Sequence, residues 1–384
     1  MKTNWAVGFS VFLFCSLLFF GCDNGSTSSE SSEIDRGPPI EIINGSTTRP
    51  GPYSDIRGFF IGENKVMVYN QSQYNVDDIY TYIFNKNTVL RGSEDIQTRI
   101  MENGKNPGLG IRSLHAQGIT GKGINVAIID QNLLLNHPEF KGKIASYYDT
   151  GTGQSTYSGS MHAPAVVSFL VGNTMGTAPD ARVYFAAAPS WNGDSEYYAR
   201  ALYWIIDENK KLPEGKKIRV VSVSAAPSGQ GSPFSKNLNM WDQAVLAAQE
   251  NGILVLDCRT NPKTGIIASA FYDPSDPENV AACTGGYPTY KLRITNSQIG
   301  VPTSYRTCAE EYWEGWPSYA YWGQGGLSWA IPYATGVLAL GWQINPGLSN
   351  DQIVQILFDT CSRGQDGSPI INPVAFIDAV KETL

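Results

Sequence analysis

Three histidines, His115, His137 and His162, are the only candidates for histidine-dependent chemistry in this 384-residue chain. His162 follows Gly-Ser-Met and precedes Ala-Pro and a long apolar run. Proline is tolerated in the first turn of a helix, so Pro164 favours a buried helix that begins near His162. A histidine in that place can act as a general base, or it can be a hydrogen-bonded core residue.

Asp130 directly follows Val126–Ile129, an apolar run that is typical of a buried parallel strand. In open α/β sheets, functional groups collect beyond the carboxyl ends of the strands. An acid in that position is well placed to orient a histidine. Taken alone, Asp130 could equally be a surface turn residue.

Ser328 follows Gly-Gly-Leu and precedes small and apolar residues that suit a buried helix. A serine at a helix N-terminus directs its backbone amide at negative charge that develops nearby. Taken alone, Ser328 could be an ordinary N-cap.

The three residues together are far more specific than each one separately. Nucleophilic serine catalysis needs a base that takes the hydroxyl proton and an acid that orients the base. The chain order Asp130, His162, Ser328 is that of the subtilisin arrangement and differs from the chymotrypsin and α/β-hydrolase orders. The chain also has no G-x-S-x-G motif.

On these residues the sequence resembles the subtilisin-like serine proteases, or subtilases. Gly118–Asp130 is similar to the family's first core strand, His162–Gly172 to its histidine helix, and Gly326–Gly336 to the block around its nucleophile. The resemblance makes His137 structural and leaves His162 as the base. It implies a subtilisin-like α/β fold over residues 106–384, with a doubly wound, mainly parallel sheet and helices on both faces. It also implies peptide hydrolysis through an acyl-enzyme.

Two further sites follow from the resemblance. Asn261 stands where the family donates an asparagine side chain to the oxyanion hole, although it could be a plain turn residue. Ser224, Ala225 and Ala226 resemble the strand that pairs with the substrate. The catalytic prediction is therefore Asp130, His162, Ser328 and Asn261.

The neighbours of these residues depart from the family pattern. The departures are Gln131-Asn132 after Asp130, Ala163-Pro164 after His162, Leu327 and Trp329 around Ser328, and Cys258-Arg259-Thr260 before Asn261. Three interpretations stay open: an active, divergent endopeptidase, a catalytically inactive envelope protein whose cleft binds a partner, or, less favoured, an esterase-like hydrolase. Random loss of function would alter the chemical residues as readily as their neighbours, so their survival favours an enzyme.

The alternation of apolar runs and amphipathic segments supports the same fold class. Strands are predicted at Val183–Ala188, Val220–Ala225 and Ile253–Leu256. Helices are predicted at Ser195–Glu208 and Lys236–Asn251, and a capping box at Ser349 opens a later one.

The N-terminus carries a targeting signal. Lys2 precedes an apolar run of about 15 residues, shorter than the roughly 20 that a spanning helix needs. The run ends in Gly21-Cys22 and a Ser-rich tract follows, which resembles a bacterial lipoprotein signal with Cys22 as the lipidated residue. A plain anchor helix or ordinary secretion are the alternatives. We expect a lipoprotein of the bacterial cell envelope, facing the periplasm or the exterior.

The predicted organisation is a signal peptide at 1–21, a lipid-anchored flexible linker at 22–52, an N-terminal extension or pro-domain remnant at 53–105, and the peptidase domain at 106–384. Within the extension, Lys65–Tyr69 predicts a strand, and Val76–Phe84 and Asp95–Met101 predict short helices. The aromatic run Tyr312–Trp322 could bind a peptide or glycan, or could pack locally within a long loop.

Composition limits the partners. A hydrophobic content of 42% allows a large core, and a formal net charge of −7 argues against a nucleic-acid-binding face. The expected partners are a polypeptide substrate and, through the lipid anchor, a membrane. No cofactor is expected to be required, and no zinc motif is present. Structural calcium, common among subtilases, stays open. Four cysteines of the body, Cys258, Cys283, Cys308 and Cys361, could pair in three ways.

Overall fold

The apolar runs of the sequence form the strands of a layered α/β structure. The computed structural model describes residues 41–45, 48–57, 65–153, 160–259, 263–313 and 315–384. The predicted signal peptide, Cys22 and Asn261 lie outside these residues. The described strands, in chain order, are β1 (Glu41–Asn44), β2 (Lys65–Tyr69), β3 (Ile83–Asn85), β4 (Thr88–Leu90), β5 (Asn125–Asp130), β6 (Ile144–Asp149), β7 (Arg182–Ala187), β8 (Ile218–Val223), β9 (Leu254–Asp257), β10 (Ile267–Phe271), β11 (Thr284–Tyr287), β12 (Tyr290–Lys291), β13 (Ile299–Pro302), β14 (Arg306–Trp313), β15 (Trp316–Trp322), β16 (Ser362–Arg363) and β17 (Pro369–Ile370).

The helices alternate with these strands, as the amphipathic pattern predicts. The described α-helices are α1 (Glu94–Asn103), α2 (Ile111–Ala116), α3 (His162–Val171), α4 (Ser195–Lys211), α5 (Leu238–Glu250), α6 (Leu327–Ile344), α7 (Asn350–Asp359) and α8 (Pro373–Lys381). The predicted capping box is confirmed, because the Ser349 hydroxyl accepts from the Gln352 amide and the Gln352 side chain accepts from the Ser349 amide.

The central sheet holds five parallel strands in the order β6-β7-β5-β8-β9. Alternate residues of β5 face opposite sides, as the period of a strand requires. Val126 and Ile128 join the core that contains α3 and α6, whereas Ala127 and Ile129 join the core that contains α4 and α5. Helices therefore cover both faces of the sheet, which confirms the predicted doubly wound α/β class.

The N-terminal extension packs on the body through β3, which pairs antiparallel with β15. Beside this junction, the Arg57 guanidinium lies 3.2 Å from the Glu310 carboxylate, and both side chains are almost fully buried. Burial raises the pKa of Glu310 to about 7 although the Arg57 charge opposes that shift. Removing either partner would leave the other charge buried without its counter-charge, which strongly destabilises the fold. The pair therefore couples the stability of the extension to that of the body.

Two local predictions within the N-terminal part are corrected. The predicted helix at Val76–Phe84 is a 3₁₀ helix at Val76–Thr81 followed by β3, because the backbone of its last residues pairs with β15. The predicted flexible linker at 22–52 contains β1, whose backbone pairs in parallel with β2.

The aromatic run before Ser328 forms a β-hairpin, whereas one of the two alternatives considered for it was local packing within a long loop. β14 and β15 pair antiparallel, and Gly315 turns the chain with a positive φ of 78°. Ser318 and Ala320 of β15 are buried on alternating positions, which shows the period of a strand that the sequence analysis overlooked.

All four cysteines of the body are free thiols, so none of the three possible disulfide pairings forms. Within the described residues, every helix is too short or too polar to cross a bilayer.

Candidate active site

Asp130 and His162 meet where β5 ends and α3 begins. His162 Nδ1 lies 2.8 Å from Asp130 Oδ1, which also accepts the Gln131 amide at 2.8 Å. Asp130 is 2% exposed. A carboxylate can only accept at this contact, so the proton of the neutral imidazole sits on Nδ1 and Nε2 keeps its lone pair. This is the tautomer that a general base requires.

The start of α3 is held by a residue that the sequence analysis did not single out. The Ser160 hydroxyl accepts the backbone amides of His162 at 3.1 Å and of Ala163 at 3.0 Å. These amides have no partner within the helix, so the serine satisfies them and fixes the helix start. A serine two residues before a predicted helix start is the sequence signal for this role.

The charge environment of His162 favours its protonated form. Burial lowers the pKa of His162, but the charge of Asp130 and its hydrogen bond more than offset burial and leave the pKa raised above its ordinary value. The imidazole therefore becomes a free base only above that raised pKa. The same interaction stabilises the imidazolium that forms when the base has taken a proton.

Ser328 is the second residue of α6. Its hydroxyl donates to the Ser224 carbonyl at 3.4 Å, and the Ser224 hydroxyl donates to the Ser328 carbonyl at 2.9 Å. In the part of the chain that the structure describes, no hydrogen bond joins Ser328 to His162. The position is half-buried at the N-terminal end of a long buried helix, where the helix dipole favours negative charge.

Trp329 places the helix of Ser328 against the helix of His162. Its ring centroid lies 5.5 Å from the His162 ring and 5.3 Å from the ring of Phe169, and Trp322 meets its edge at 5.7 Å. Trp329 is 4% exposed. From the sequence this residue was only a departure from the family pattern, whereas in the structure it contacts α3 at both His162 and Phe169.

The predicted substrate strand follows the end of β8 and borders Ser328. Ala225 and Ala226 are half-buried, and the Ala225 carbonyl accepts the Cys258 amide at 2.9 Å. The Ser224 hydroxyl is engaged by Ser328, as described above. The Ser224 and Ala226 carbonyls also accept hydroxyl groups, from Ser328 at 3.4 Å and from Ser232 at 2.6 Å. The substrate-binding role of Ser224, Ala225 and Ala226 stays a prediction.

Tyr287 contacts the first residue of α6, the helix of Ser328, and was not singled out from the sequence. Its hydroxyl accepts the Leu327 amide at 3.0 Å and the Ser269 hydroxyl at 2.7 Å. No local pattern marks this tyrosine, because β11 reaches α6 only through the tertiary fold.

The other two histidines make structural contacts. His137 is fully buried, with Nε2 2.9 Å from the Ser318 carbonyl and its ring stacked on Phe140. His115 Nε2 lies 2.9 Å from the Thr177 carbonyl. Burial lowers the pKa of both. Among the histidines, His162 is the one that a carboxylate contacts within the described residues.

The sequence that carries these residues matches a known family. The family model described as Peptidase_S8, the subtilase family, matches residues 121–371, which include Asp130, His162 and Ser328. This match covers well over half of the sequence. The chain belongs to the subtilase family.

The curated relatives of this subtilase are bacterial alkaline proteases and subtilisins. It is 27% identical over 255 residues to the M-protease of Shouchella clausii (strain KSM-K16), covering 65% of this chain and 61% of that protein. It is 27% identical over 272 residues to the alkaline protease of Alkalihalobacillus alcalophilus, covering 68% and 66%. Subtilisin Savinase of Lederbergia lenta is 27% identical over 272 residues, with 68% of this chain and 93% of that protein covered.

Solved structures share the fold of this subtilase. Fervidolysin from Fervidobacterium pennivorans, a keratinolytic enzyme related to subtilisin, matches with a TM-score of 0.52 at 17% identity over 71% of this chain and 45% of that one. A chain from the structure of the subtilase cytotoxin SubAB matches with a TM-score of 0.54 at 14% identity over 72% and 96%. At these identities the likeness shows the fold, a subtilisin-like α/β sheet.

Within the described residues of this subtilase, no group of three or more His, Cys, Asp or Glu side chains could hold a metal ion. Asn261 falls outside the described residues. The structure does place its flanks, since β9 ends at Asp257 and Arg259 follows in a buried position. The oxyanion role of Asn261 thus stays a prediction.

Proposed function

We propose that this subtilase is a serine endopeptidase that cleaves peptide bonds through an acyl-enzyme. The observation that carries the proposal is the 2.8 Å contact between Asp130 and His162 at the start of α3, with Trp329 packing the helix of Ser328 against the same imidazole. An orienting acid and a base of the required tautomer beside a helix-N-terminal serine are the parts that acyl transfer needs.

In this mechanism Ser328 must first turn. Rotation about its Cα–Cβ bond has to take the hydroxyl from the Ser224 carbonyl towards His162 Nε2, and we expect this hydrogen bond to form when substrate binds. His162 takes the hydroxyl proton as the oxygen attacks the scissile carbonyl, and Asp130 stabilises the resulting imidazolium. The imidazolium then protonates the leaving amine. In the second half of the reaction water attacks the acyl carbonyl while His162 takes its proton, and His162 returns that proton to the Ser328 oxygen as the acid product leaves.

The substrate is a polypeptide bound in an extended conformation along Ser224, Ala225 and Ala226. The relatives named as proteases and subtilisins support this class. The competing function is a catalytically inactive envelope protein that binds a partner in the same cleft. The chain retains the hydrogen-bonded Asp130–His162 pair, and this favours the enzyme over the binding protein.

Covalent labelling by a fluorophosphonate probe tests the proposal. The probe reacts with a serine only when a base activates it, so we expect phosphonylation of Ser328 in the native protein and none after unfolding. Ser349 is the internal comparison, because it also lies at a helix N-terminus but serves as a capping residue. Peptide mapping that finds no adduct on Ser328, or equal adducts on both serines, favours the binding protein.

Asn261→Ala is expected to lower kcat by roughly 100- to 1000-fold with little change in KM, because the oxyanion that Asn261 would stabilise exists only in the transition state. The measurement is steady-state hydrolysis of a chromogenic peptide. Asn251→Ala, at the exposed C-terminal cap of α5, is the matched control and should retain parental rates. If the Asn261→Ala enzyme is as fast as the parent, a group other than Asn261 is the oxyanion donor.

We also propose that the mature protein begins at Cys22 and is held by lipid in the bacterial cell envelope. Cys22→Ala should abolish lipidation and either release the protein from membranes or leave its signal uncleaved. Membrane fractionation and the mass of the N-terminal peptide measure this. Cys361→Ala, at a half-buried thiol of the body, is the control. A Cys22→Ala protein that fractionates and migrates like the parent contradicts the anchor.

A further inference from the structure

The N-terminal extension adds strands to the hairpin that precedes Ser328. β3 pairs with β15, and the chain before β3 continues this sheet, since the Ile56 amide donates to the Ile83 carbonyl at 3.0 Å and the Ile83 amide to the Ser54 carbonyl at 2.9 Å. β15 ends at Trp322, six residues before Ser328. The extension therefore reaches the segment that leads into the helix of Ser328.

The contact continues at Gly323, the next residue of the chain. Its amide donates to the Tyr82 carbonyl of the extension at 3.2 Å. A Cβ atom at Gly323 would clash with the carbonyl oxygen of Thr81, so glycine permits this close approach. The backbone of the extension thus lies directly against residues 323–326, the loop before α6.

Arg57 of the extension is buried against the end of β15. Its guanidinium carbon lies 4.8 Å from the centre of the Trp322 ring, within the range of a cation–π contact. Its Nε and Nη2 donate to the two oxygens of Asp55 at 2.9 and 2.7 Å, and its Nη1 donates to Glu310 at 3.2 Å. The Arg57 side chain is 3% exposed. Two carboxylates hold the planar group at a fixed place over the ring, which the point charge of an ammonium group would not allow.

Trp322 connects Arg57 with the active site through Trp329. The two indole rings meet edge to face with their centroids 5.7 Å apart, and Trp329 in turn lies 5.5 Å from the His162 ring. Buried indole N–H groups usually have a hydrogen-bond partner, but that of Trp329 is buried without one within the described residues. The rings packed against Trp329, including Trp322, therefore set its position.

The orientation of His162 depends on this packing. Its hydrogen bond to Asp130 fixes where Nδ1 lies, and the contact with Trp329 limits how the imidazole plane can tilt about that bond. A change in the tilt displaces Nε2, the nitrogen that must take the Ser328 proton. A displacement of Trp322 would thus reach the base through one intervening ring.

We propose, on the basis of the proposed function, that Arg57 is a positioning residue that acts on His162 through the two indole rings between them. The N-terminal extension at 53–105 is accordingly a retained part of the active enzyme and not a pro-domain remnant that maturation removes.

Arg57→Lys tests this role, because it keeps the charge beside Asp55 and Glu310 but removes the planar group from the Trp322 ring. We expect kcat to fall by roughly 10- to 100-fold with KM nearly unchanged, since about 1 Å of misplacement can cost 100-fold. Steady-state hydrolysis of a chromogenic peptide, well below the melting temperature of each variant, measures both constants. An unchanged kcat overturns the positioning role.

A double-mutant cycle with Trp322→Leu shows whether the effect passes through the ring. The leucine keeps an apolar side chain and removes the ring that both Arg57 and Trp329 contact. Arg57→Lys should then change kcat by less than about threefold in the Trp322→Leu background. Additive losses overturn the proposed route to His162.

The low-field proton resonance of His162 Nδ1 supplies a readout that does not depend on turnover. This proton lies between His162 and Asp130, so its chemical shift reports the geometry of their hydrogen bond. We expect it to shift or broaden in Arg57→Lys. A resonance identical to that of the parent would show that Arg57 contributes stability alone.

Arg219→Lys is the matched control for these measurements. Arg219 also lies over a tryptophan ring, 5.3 Å from Trp342, and donates to the Leu348 carbonyl at 3.1 Å, but it lies near the start of β8, away from Ser224. We expect the parental kcat and the parental His162 resonance even where the melting temperature falls. Equal changes in both arginine variants overturn the positioning role.

Asp55→Asn keeps the test decisive if Arg57→Lys does not fold. The Asp55 side chain is 43% exposed, so its neutral isostere loosens Arg57 without taking the counter-charge from the buried Glu310. We expect a smaller loss of kcat in the same direction, again abolished in the Trp322→Leu background. A loss that persists there counts against the route through the ring.

The composition of the active form tests whether the extension is retained. We expect the protein that a fluorophosphonate probe labels at Ser328, isolated under native conditions, to yield the peptide that contains Arg57. A labelled, active protein without that peptide overturns the role of Arg57 and leaves the proposed function intact. A parent that neither turns over peptide nor labels at Ser328 overturns the proposed function and this role with it.

Discussion

Ser328→Ala is expected to lower kcat for peptide hydrolysis by roughly six orders of magnitude and to abolish acyl-enzyme formation. The methyl group offers no oxygen for attack, whereas the fold loses only the weak 3.4 Å contact of the hydroxyl with Ser224. Burst-phase kinetics with an activated ester and mass spectrometry of the trapped acyl-enzyme measure the loss. Peptide affinity should persist, because the substrate strand is untouched.

Ser349→Ala is the matched control for this loss. It removes a serine at the N-terminus of α7, with a cost of about 1 kcal/mol in stability and no expected change in kcat. Turnover that survives in Ser328→Ala would assign the nucleophile to another residue. Equal losses in the two variants would trace the effect to folding.

Asp130→Asn is expected to lower kcat by roughly 10⁴-fold while the protein stays folded. The amide has nearly the shape of the carboxylate, so it can occupy the same place beside Gln131 and His162. It lacks the charge that stabilises the imidazolium, and an amide N–H facing His162 would favour the wrong tautomer. The measurement is kcat/KM across pH together with a thermal melt.

The pH profile gives this variant a second signature. Asp130 raises the pKa of His162 above its ordinary value, so in the parent kcat/KM should fall as the pH drops through that raised pKa. Without the carboxylate charge that pKa must fall, and the acid limb of the residual activity should move to lower pH. An unchanged limb would show that His162 is not the titrating base.

Asp149→Asn provides the comparison for Asp130→Asn. Asp149 also ends a strand of the central sheet, but it is exposed and accepts the amides of Gly151 and Thr152 in a turn. We expect parental activity and an unshifted pH profile. If both variants lose activity to a similar extent, the loss comes from a general disturbance of the sheet edge and not from the contact between Asp130 and His162.

Much of the fold follows from local signals in the sequence. The apolar runs predicted β5, β7, β8 and β9 to within about two residues, because strands buried on both faces need continuous apolar sequence. The helix starts at His162 and after Ser349 were also predicted, since proline in a first turn and a capping box act within a few residues. Asp130 at a strand end and His162 at a helix start could be placed in this way.

Other features depend on residues that are far apart in the chain. The conversion of part of Val76–Phe84 into β3 and the hairpin at Tyr312–Trp322 arise because these segments pair with each other, and strand pairing leaves a weaker local signal than helix capping. The Arg57–Glu310 pair also could not be predicted from the sequence, because its two residues are 253 positions apart.

The sequence by itself predicted which residues could do the chemistry, and it determined the order in which the elements that carry them follow one another. The tertiary structure decided how these elements meet: Trp329 against His162, Tyr287 beneath Leu327, and Arg57 over Trp322. The physical reason is the distance along the chain over which each interaction acts. Capping, proline and strand periodicity act over a few residues, whereas ring packing and a shared guanidinium need distant segments to be folded together first.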